Sequence, residues 1–329
     1  MALVLGYISG QNIQAHDGNM HLVYVYPNTT EEQLIKQIEQ DYSLIVPWLF
    51  RVQARCLHLI TEDHPFIRTG CYQIGSVCSD REVITMFRNG QQVPVKLSFQ
   101  SVRTQGQLAK KLAEQLMVDS ASIASRLSDS AYMMSTFGLT IPRAVCLFIP
   151  NTYEVWWNMS CDELFARMNR EYNAFWNNQR LARCKQIGME PWEVVTLASI
   201  VEEETSIDSD KPIVAGLYIN RLRRGMLLQA DPTVKFAIGD FKLRRILNEH
   251  LHYDSPYNTY LHTGLPPGPI RIPLPKTVDY TLNYTQSNYL YMCASPTLDG
   301  THRFTHSYAQ HLRNAREYQR ELNRRGIKK

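Results

Sequence analysis

Apolar residues recur at helical spacing through Val194, Leu197, Ala198 and Val201, and the run stops in three consecutive carboxylates, Glu202, Glu203 and Glu204. Successive helical residues point about 100° apart, so three glutamates cannot share a face, and at least one is carried toward the surface the apolar residues pack on. A carboxyl group beside apolar surface keeps its proton nearer neutrality and can serve as a general acid. The alternative is a solvated helix end, the commoner fate of a charge run.

Elsewhere the pattern alternates between periods. A strand followed by a capped helix recurs three times in the first half. His21–Tyr26 leads to Thr30-Glu31-Glu32 and then Leu34, Ile35 and Ile38. Cys71–Ile74 leads to Ser79-Asp80-Arg81-Glu82 and a helix stopping at Asn89-Gly90, and Val95–Phe99 leads to a helix opening at Thr104 and running through Leu108, Leu112 and Leu116. Proline breaks the chain at Phe148-Ile149-Pro150. A long helix is predicted over Cys161–Arg183, with Leu164, Phe165, Met168, Tyr172 and Phe175 as its core stripe.

Glu190-Pro191 starts the glutamate helix, proline costing nothing in the first turn. Ile213–Leu222 reads as a helix, Thr263–Pro275 as a shaped loop rich in proline and glycine, Asn288–Ala294 as a buried strand, and Ser307 onward as a terminal helix. The fold class expected is α+β. Tyr153, Trp156, Trp157 and Trp176 are either core or sugar-stacking faces, because aromatic planes suit the apolar faces of pyranose rings.

A chain of 329 residues with 44% hydrophobic and 20% charged content is long enough for one large or two ordinary cores. The formal net charge of +4 is too small and too dispersed to argue for nucleic acid. The seven cysteines include no C-x-x-C pair and no zinc spacing, so they read as buried thiols, with a Cys71–Cys78 disulfide left open. No metal or cofactor is expected. The apolar stretch Met1–Ile8 is far short of the roughly 20 residues a membrane span needs and lacks a signal peptide's basic region.

Several motifs downstream of the glutamates belong together: Asn220-Arg221-Leu222, Leu228-Gln229-Ala230-Asp231-Pro232-Thr233, Tyr257-Asn258-Thr259-Tyr260, Gly264-Leu265-Pro266-Pro267-Gly268-Pro269-Ile270 and His302-Arg303-Phe304-Thr305. In this order and spacing the chain resembles the MltG/YceG-like endolytic murein transglycosylases, densely from about Pro191 to Tyr318 and more weakly upstream. The resemblance implies small LysM-like glycan-binding β/α modules over 21–147, a larger mixed α+β catalytic domain over 148–329, and, in residues 1–20, the remnant of a membrane anchor or its juxtamembrane continuation. A plain α+β scaffold is the other reading of 21–147. The resemblance also implies a single-pass protein of the cytoplasmic (inner) membrane with its catalytic region on the periplasmic side. Its substrate would be the glycan strands of peptidoglycan and its partners peptidoglycan synthases, including penicillin-binding proteins.

In that family the acid is the second glutamate of a Glu-x-Glu-Thr motif, which falls on Glu204; the middle position, often lysine in relatives, is Glu203. The implied reaction needs one carboxyl group, because the nucleophile is the C6 hydroxyl of the N-acetylmuramic acid (MurNAc) being cut from N-acetylglucosamine (GlcNAc). An internal nucleophile has a high effective molarity.

The remaining candidates keep two readings each. Glu202 is a substrate contact or, preferably, a structural partner of Arg221 or Arg223. Asn220, Gln229 and Asn258 are amides suited to acetamido and hydroxyl groups. Asp231 is a second carboxylate or a helix-start residue. Tyr257 and Tyr260 line the groove or the core, Gly264 and Gly268 allow close backbone approach, and His302 lines the groove. Rival functions are a glycan-binding protein without activity, a muramidase using water, and a pyridoxal phosphate lyase, for which neither a Schiff-base lysine nor a phosphate cradle is evident.

Overall fold

The structure, a computed structural model, describes residues 10–61, 64–243 and 245–327. In chain order its elements are β1 (Gln11–Ala15), β2 (His21–Val25), α1 (Glu31–Asp41), β3 (Tyr42–Leu44), α2 (Pro47–Cys56), β4 (Gly70–Ile74), β5 (Val77–Ser79), α3 (Asp80–Asn89), β6 (Val95–Phe99), α4 (Gln105–Ala113), α5 (Ser120–Ser128) and α6 (Ser130–Phe137). There follow β7 (Asn151–Val155), α7 (Cys161–Phe175), α8 (Asn178–Ile187), α9 (Pro191–Glu204), α10 (Lys211–Arg223), α11 (Asp231–Ile238), α12 (Pro275–Leu282), β8 (Tyr291–Ala294), β9 (His302–Thr305) and α13 (Tyr308–Arg324). The fold is mixed α+β.

The chain divides into two compact units. The first comprises the chain up to Ser98, Lys111–Asp119 and Thr152–Cys161; the second comprises Phe99–Lys110, Ser120–Asn151 and the chain from Asp162 onward. The boundary expected at 147/148 lies inside the second unit.

In the first unit β1 lies between β3 and β5, antiparallel to both, and β2 pairs antiparallel with β4 from His21↔Ile74 to Val25↔Gly70. Alternation sends Val23 and Val25 inward, where they meet Leu34, Ile35, Ile38, Phe50, Tyr72 and Phe87. Two of the three expected helix starts are capping boxes: Thr30 with Gln33, and Ser79 with Glu82. Gly90 ends α3 at φ +65°, a conformation that suits glycine. The first two strands of the recurring unit are thus partners of each other, while the third, β6, pairs with β7.

Of the anchor-side segment expected over 1–20, Gln11–Ala15 form the middle strand of a sheet, and 1–9 lie outside the described residues. Among the described residues no helix is long and apolar enough to cross a membrane. Cys71 and Cys78 are free thiols, so the disulfide left open between them is not formed.

The second unit is built around α9. Eight consecutive residues, Val194–Val201, are buried, so this helix is surrounded rather than packed on one face. It packs against α8, α10, α11 and α12. Its two buried hydroxyls are satisfied within the helix: Thr196 donates to Trp192 O (2.8 Å) and Ser199 to Thr196 O (2.7 Å). Ser199 Oγ also accepts the Ile270 N–H at 3.0 Å, which ties the proline-rich loop to α9. In that loop Gly268 lies so close to Pro142 that a Cβ would stand 2.1 Å from its carbonyl oxygen, whereas Gly264 adopts φ +85° with open space around it.

Two expected elements differ. The helix predicted over Cys161–Arg183 is two helices, because Asn177 leaves the helical region and its side chain accepts the Arg180 N–H at 3.0 Å, starting α8. The strand predicted over Asn288–Ala294 is only β8, half-buried, paired with β9 and packed on α13.

Candidate active site

The three glutamates at the end of α9 diverge. Glu202 accepts the backbone N–H of Leu274 at 2.9 Å and lies 3.7 Å from Arg271 Nε, so its cationic neighbour is Arg271 rather than the expected Arg221 or Arg223. Glu203 takes Arg271 Nη1 and, through both oxygens, Arg103 Nη2 (2.9 and 3.1 Å). Ser101 helps to hold that cluster by accepting from Arg271 Nε at 2.6 Å. Glu204 turns toward α10, where the Tyr218 hydroxyl donates to its Oε1 at 2.7 Å. Among the described residues no cation forms an ion pair with it.

Burial pushes the Glu204 carboxyl from an ordinary 4.5 up to about 7. The Tyr218 hydrogen bond and the positive Arg221 oppose the rise, and Asp231 and Glu203 add to it. Tyr218 itself is held well above the usual phenol range by burial and by Glu204, so it stays a donor.

Glu204 sits in the wall of two cavities. The first, of about 320 Å³, is also lined by Tyr218, Arg221, Gln229, Asp231, Tyr260, Met292 and His311. The second, of about 690 Å³, is lined by Glu203, Glu204, Asp231, Lys235, Arg245 and Tyr318 among others. Both volumes suit small-ligand recognition. Glu204 and Asp231 are common to the two, so the pair stands where the cavities meet.

Asp231 opens α11, and Tyr260 donates to its Oδ1 at 2.6 Å. Burial and that carboxylate raise the Tyr260 phenol. Arg221 is buried and spends its donors on the carbonyls of Leu290 (2.7 Å), Leu227 (3.1 Å) and Leu228 (2.9 Å), with Gln229 Oε1 at 3.3 Å. Gln229 has φ +51°, and its N–H donates to Thr259 O at 3.0 Å, so the turn that presents it is pinned from behind.

Of the sequence candidates, Glu204, Gln229, Asp231 and Tyr260 are thus gathered round one cavity. Asn220 and Asn258 are not on its wall. Asn220 donates to Ser287 O (2.8 Å) and Tyr289 O (3.0 Å); Asn258, fully buried, donates to Leu251 O (3.0 Å) and Tyr253 O (2.8 Å). Both amides hold loops in shape. Tyr257 packs on Phe236 at 4.8 Å between ring centroids, and burial pushes its phenol up to about 12. His302 is bound twice to Asp210, through its N–H (2.9 Å) and Nδ1 (3.1 Å), and faces neither cavity.

Sequence reasoning passed over Tyr218, Arg103, Arg271 and His311. Tyr218 lies in the apolar run Leu217-Tyr218-Ile219 and reads as core, which it also is. The two arginines are distant in sequence from Glu203 and carry no local signal.

The sequence profile of the YceG-like family matches residues 23–317. The chain is 33% identical over 159 residues to an endolytic murein transglycosylase of Bacillus subtilis, a match covering 48% of this chain and 43% of the relative. It is 31% identical over 161 residues to one of Streptococcus pneumoniae, covering 48% of this chain and 28% of the relative. The matched part therefore spans less than half of each of these relatives. The crystal structure of a YceG-like protein from Listeria monocytogenes shares the fold, with a TM-score of 0.60 at 22% identity over 90% of this chain and 98% of that one.

Proposed function

The chain belongs to the YceG-like family, and from that premise we propose that it is an endolytic lytic transglycosylase of peptidoglycan, cleaving the MurNAc–GlcNAc bond within nascent strands and leaving 1,6-anhydro-MurNAc. The observation that carries the reading is the separation of the three glutamates. Glu202 and Glu203 are bound by arginines and a backbone N–H, while Glu204 is left with a single hydroxyl donor, a pKa of about 7 and a place where two cavities meet.

With Tyr218 donating to Oε1, the proton of the neutral acid resides on Oε2. Oε2 gives that proton to the glycosidic oxygen as the bond to C1 of MurNAc breaks. Positive charge then develops at C1 and the ring oxygen, and Asp231, whose carboxylate lines the same cavity, favours it electrostatically. Glu204, now a carboxylate, takes the proton of the C6 hydroxyl as that oxygen bonds to C1. One residue is acid and then base, no water is consumed, and the carboxyl is returned protonated.

The wider reading follows the same family. The region 21–147 acts as LysM-like glycan-binding modules. The protein is held at the cytoplasmic membrane by an N-terminal anchor, with the site on the outer side, and it works beside peptidoglycan synthases, including penicillin-binding proteins. The test is digestion of uncrosslinked glycan strands by the wild-type protein and by Glu204→Gln, which keeps the shape and removes the acid. Anhydro-ended fragments from the wild type alone support the reading. Equal activity in the variant places the acid elsewhere.

A further inference from the structure

His311, on α13, is a wall residue of the Glu204 cavity to which the mechanism gives no task. Its ring lies nearly parallel to those of Tyr291 (5.5 Å, 27°) and Tyr308 (6.2 Å, 28°). The Arg221 guanidinium stands over Tyr291 at 5.4 Å. Its Nδ1 is sealed from solvent and has no hydrogen-bond partner.

A sealed N–H without an acceptor costs about 1–3 kcal/mol, and orphaned N–H groups are rarer in folded proteins than orphaned acceptors. Burial and Arg221 also hold the imidazole below its usual pKa, so the ring is neutral. A neutral imidazole carries one proton; with Nδ1 bare, it is on Nε2. Tyr291 and Tyr308, themselves 5.5 Å apart, crowd one side of the ring and the Nδ1 corner is closed, which leaves the Nε2–H edge as the polar part of His311 that can meet the cavity.

We propose that His311 is a specificity-determining residue whose Nε2–H donates to the acetamido carbonyl oxygen of an amino sugar bound beside Glu204. The inference rests on the transglycosylase reading above. Its chemistry is selective: an acetamido group places a carbonyl acceptor within reach, whereas a free amine at the same carbon has no carbonyl and, when protonated, offers only donors. Of the three amides that sequence reasoning assigned to this task, Asn220 and Asn258 are committed to backbone carbonyls, and Gln229, on the same wall, gives its Oε1 to Arg221.

The experiment measures kcat/KM on fully N-acetylated glycan strands and on strands de-acetylated at the GlcNAc or at the MurNAc positions, for the wild type and for His311→Gln, His311→Asn and His311→Phe. A glutamine amide reaches the position of Nε2 and an asparagine amide that of Nδ1. The wild type and His311→Gln are expected to prefer the acetylated strand, and His311→Asn and His311→Phe to lose about tenfold on it and little on one of the de-acetylated strands. The strand on which the loss disappears identifies the sugar that His311 reads. Equal losses on all three strands, or glutamine behaving like phenylalanine, overturn the inference while leaving the transglycosylase reading intact. Absence of anhydro products from the wild type overturns that reading instead.

Discussion

Tyr218, in the middle of α10, and Glu204, at the end of α9, meet hydroxyl to carboxyl at 2.7 Å, and the contact sets both the orientation of the acid and the side on which its proton sits. Replacing Tyr218 by phenylalanine keeps the buried ring and removes the donor. The hydrogen bond lowers the Glu204 pKa, so its loss lets burial raise the pKa further. The account expects about a tenfold fall in kcat and an alkaline limb of the pH–rate profile displaced to higher pH. A limb displaced downward contradicts it.

The raised pKa of Glu204 also predicts how stability varies with pH. In the unfolded chain this carboxyl ionises near 4.5, whereas in the folded protein it holds its proton to about 7. The native state therefore binds the extra proton between those values, and the group's contribution becomes progressively less favourable as pH rises from 4.5 to 7, then stays constant. Glu204→Gln removes that penalty. Chemical denaturation is expected to show the variant more stable than wild type by up to about 3 kcal/mol near pH 8, and close to it near pH 4. A constant difference across this range contradicts the assignment.

Asp231→Asn tests the charge across the cavity. Asp231 raises the Glu204 pKa, so neutralising it moves the alkaline limb to lower pH. Loss of the negative charge facing the developing cation is expected to lower kcat by about a hundredfold, with a smaller change in KM. Unchanged kcat contradicts the electrostatic role.

Glu203→Gln separates structure from chemistry among the glutamates. It leaves Arg103 and Arg271 without their shared carboxylate, in a site that is largely but not wholly shielded. The expected result is about 1–3 kcal/mol lost in thermal or urea unfolding. Products from the folded fraction should keep their anhydro ends. An outcome like that of Glu204→Gln, folded but inactive, contradicts the division of roles.

The helices were legible where punctuation and period agreed. Pro191 and the buried run to Val201 placed α9, and the capping boxes at Thr30 and Ser79 placed two more helices. The break at Asn177 was hidden because Phe175 and Trp176 continue the apolar stripe of α7 up to it. That the glutamates diverge follows from helical geometry. Which one lacks a cation does not, since Arg103 and Arg271 arrive from 100 and 68 residues away. Asn220 and Asn258 show the same limit: an amide suits a sugar and a loop carbonyl equally well, and only the folded chain shows which it meets. His311 had no local mark, its significance lying in a ring nitrogen sealed from solvent without a hydrogen-bond partner.

The central claim is that one carboxyl group and an internal hydroxyl suffice. Digestion of uncrosslinked glycan strands in water enriched in heavy oxygen, with mass spectrometry of the new ends, tests it most directly. The account predicts ends lighter than reducing sugars by one water, carrying no heavy oxygen, and absent with Glu204→Gln. Reducing ends labelled from the solvent would mean that water is the nucleophile, and would contradict it.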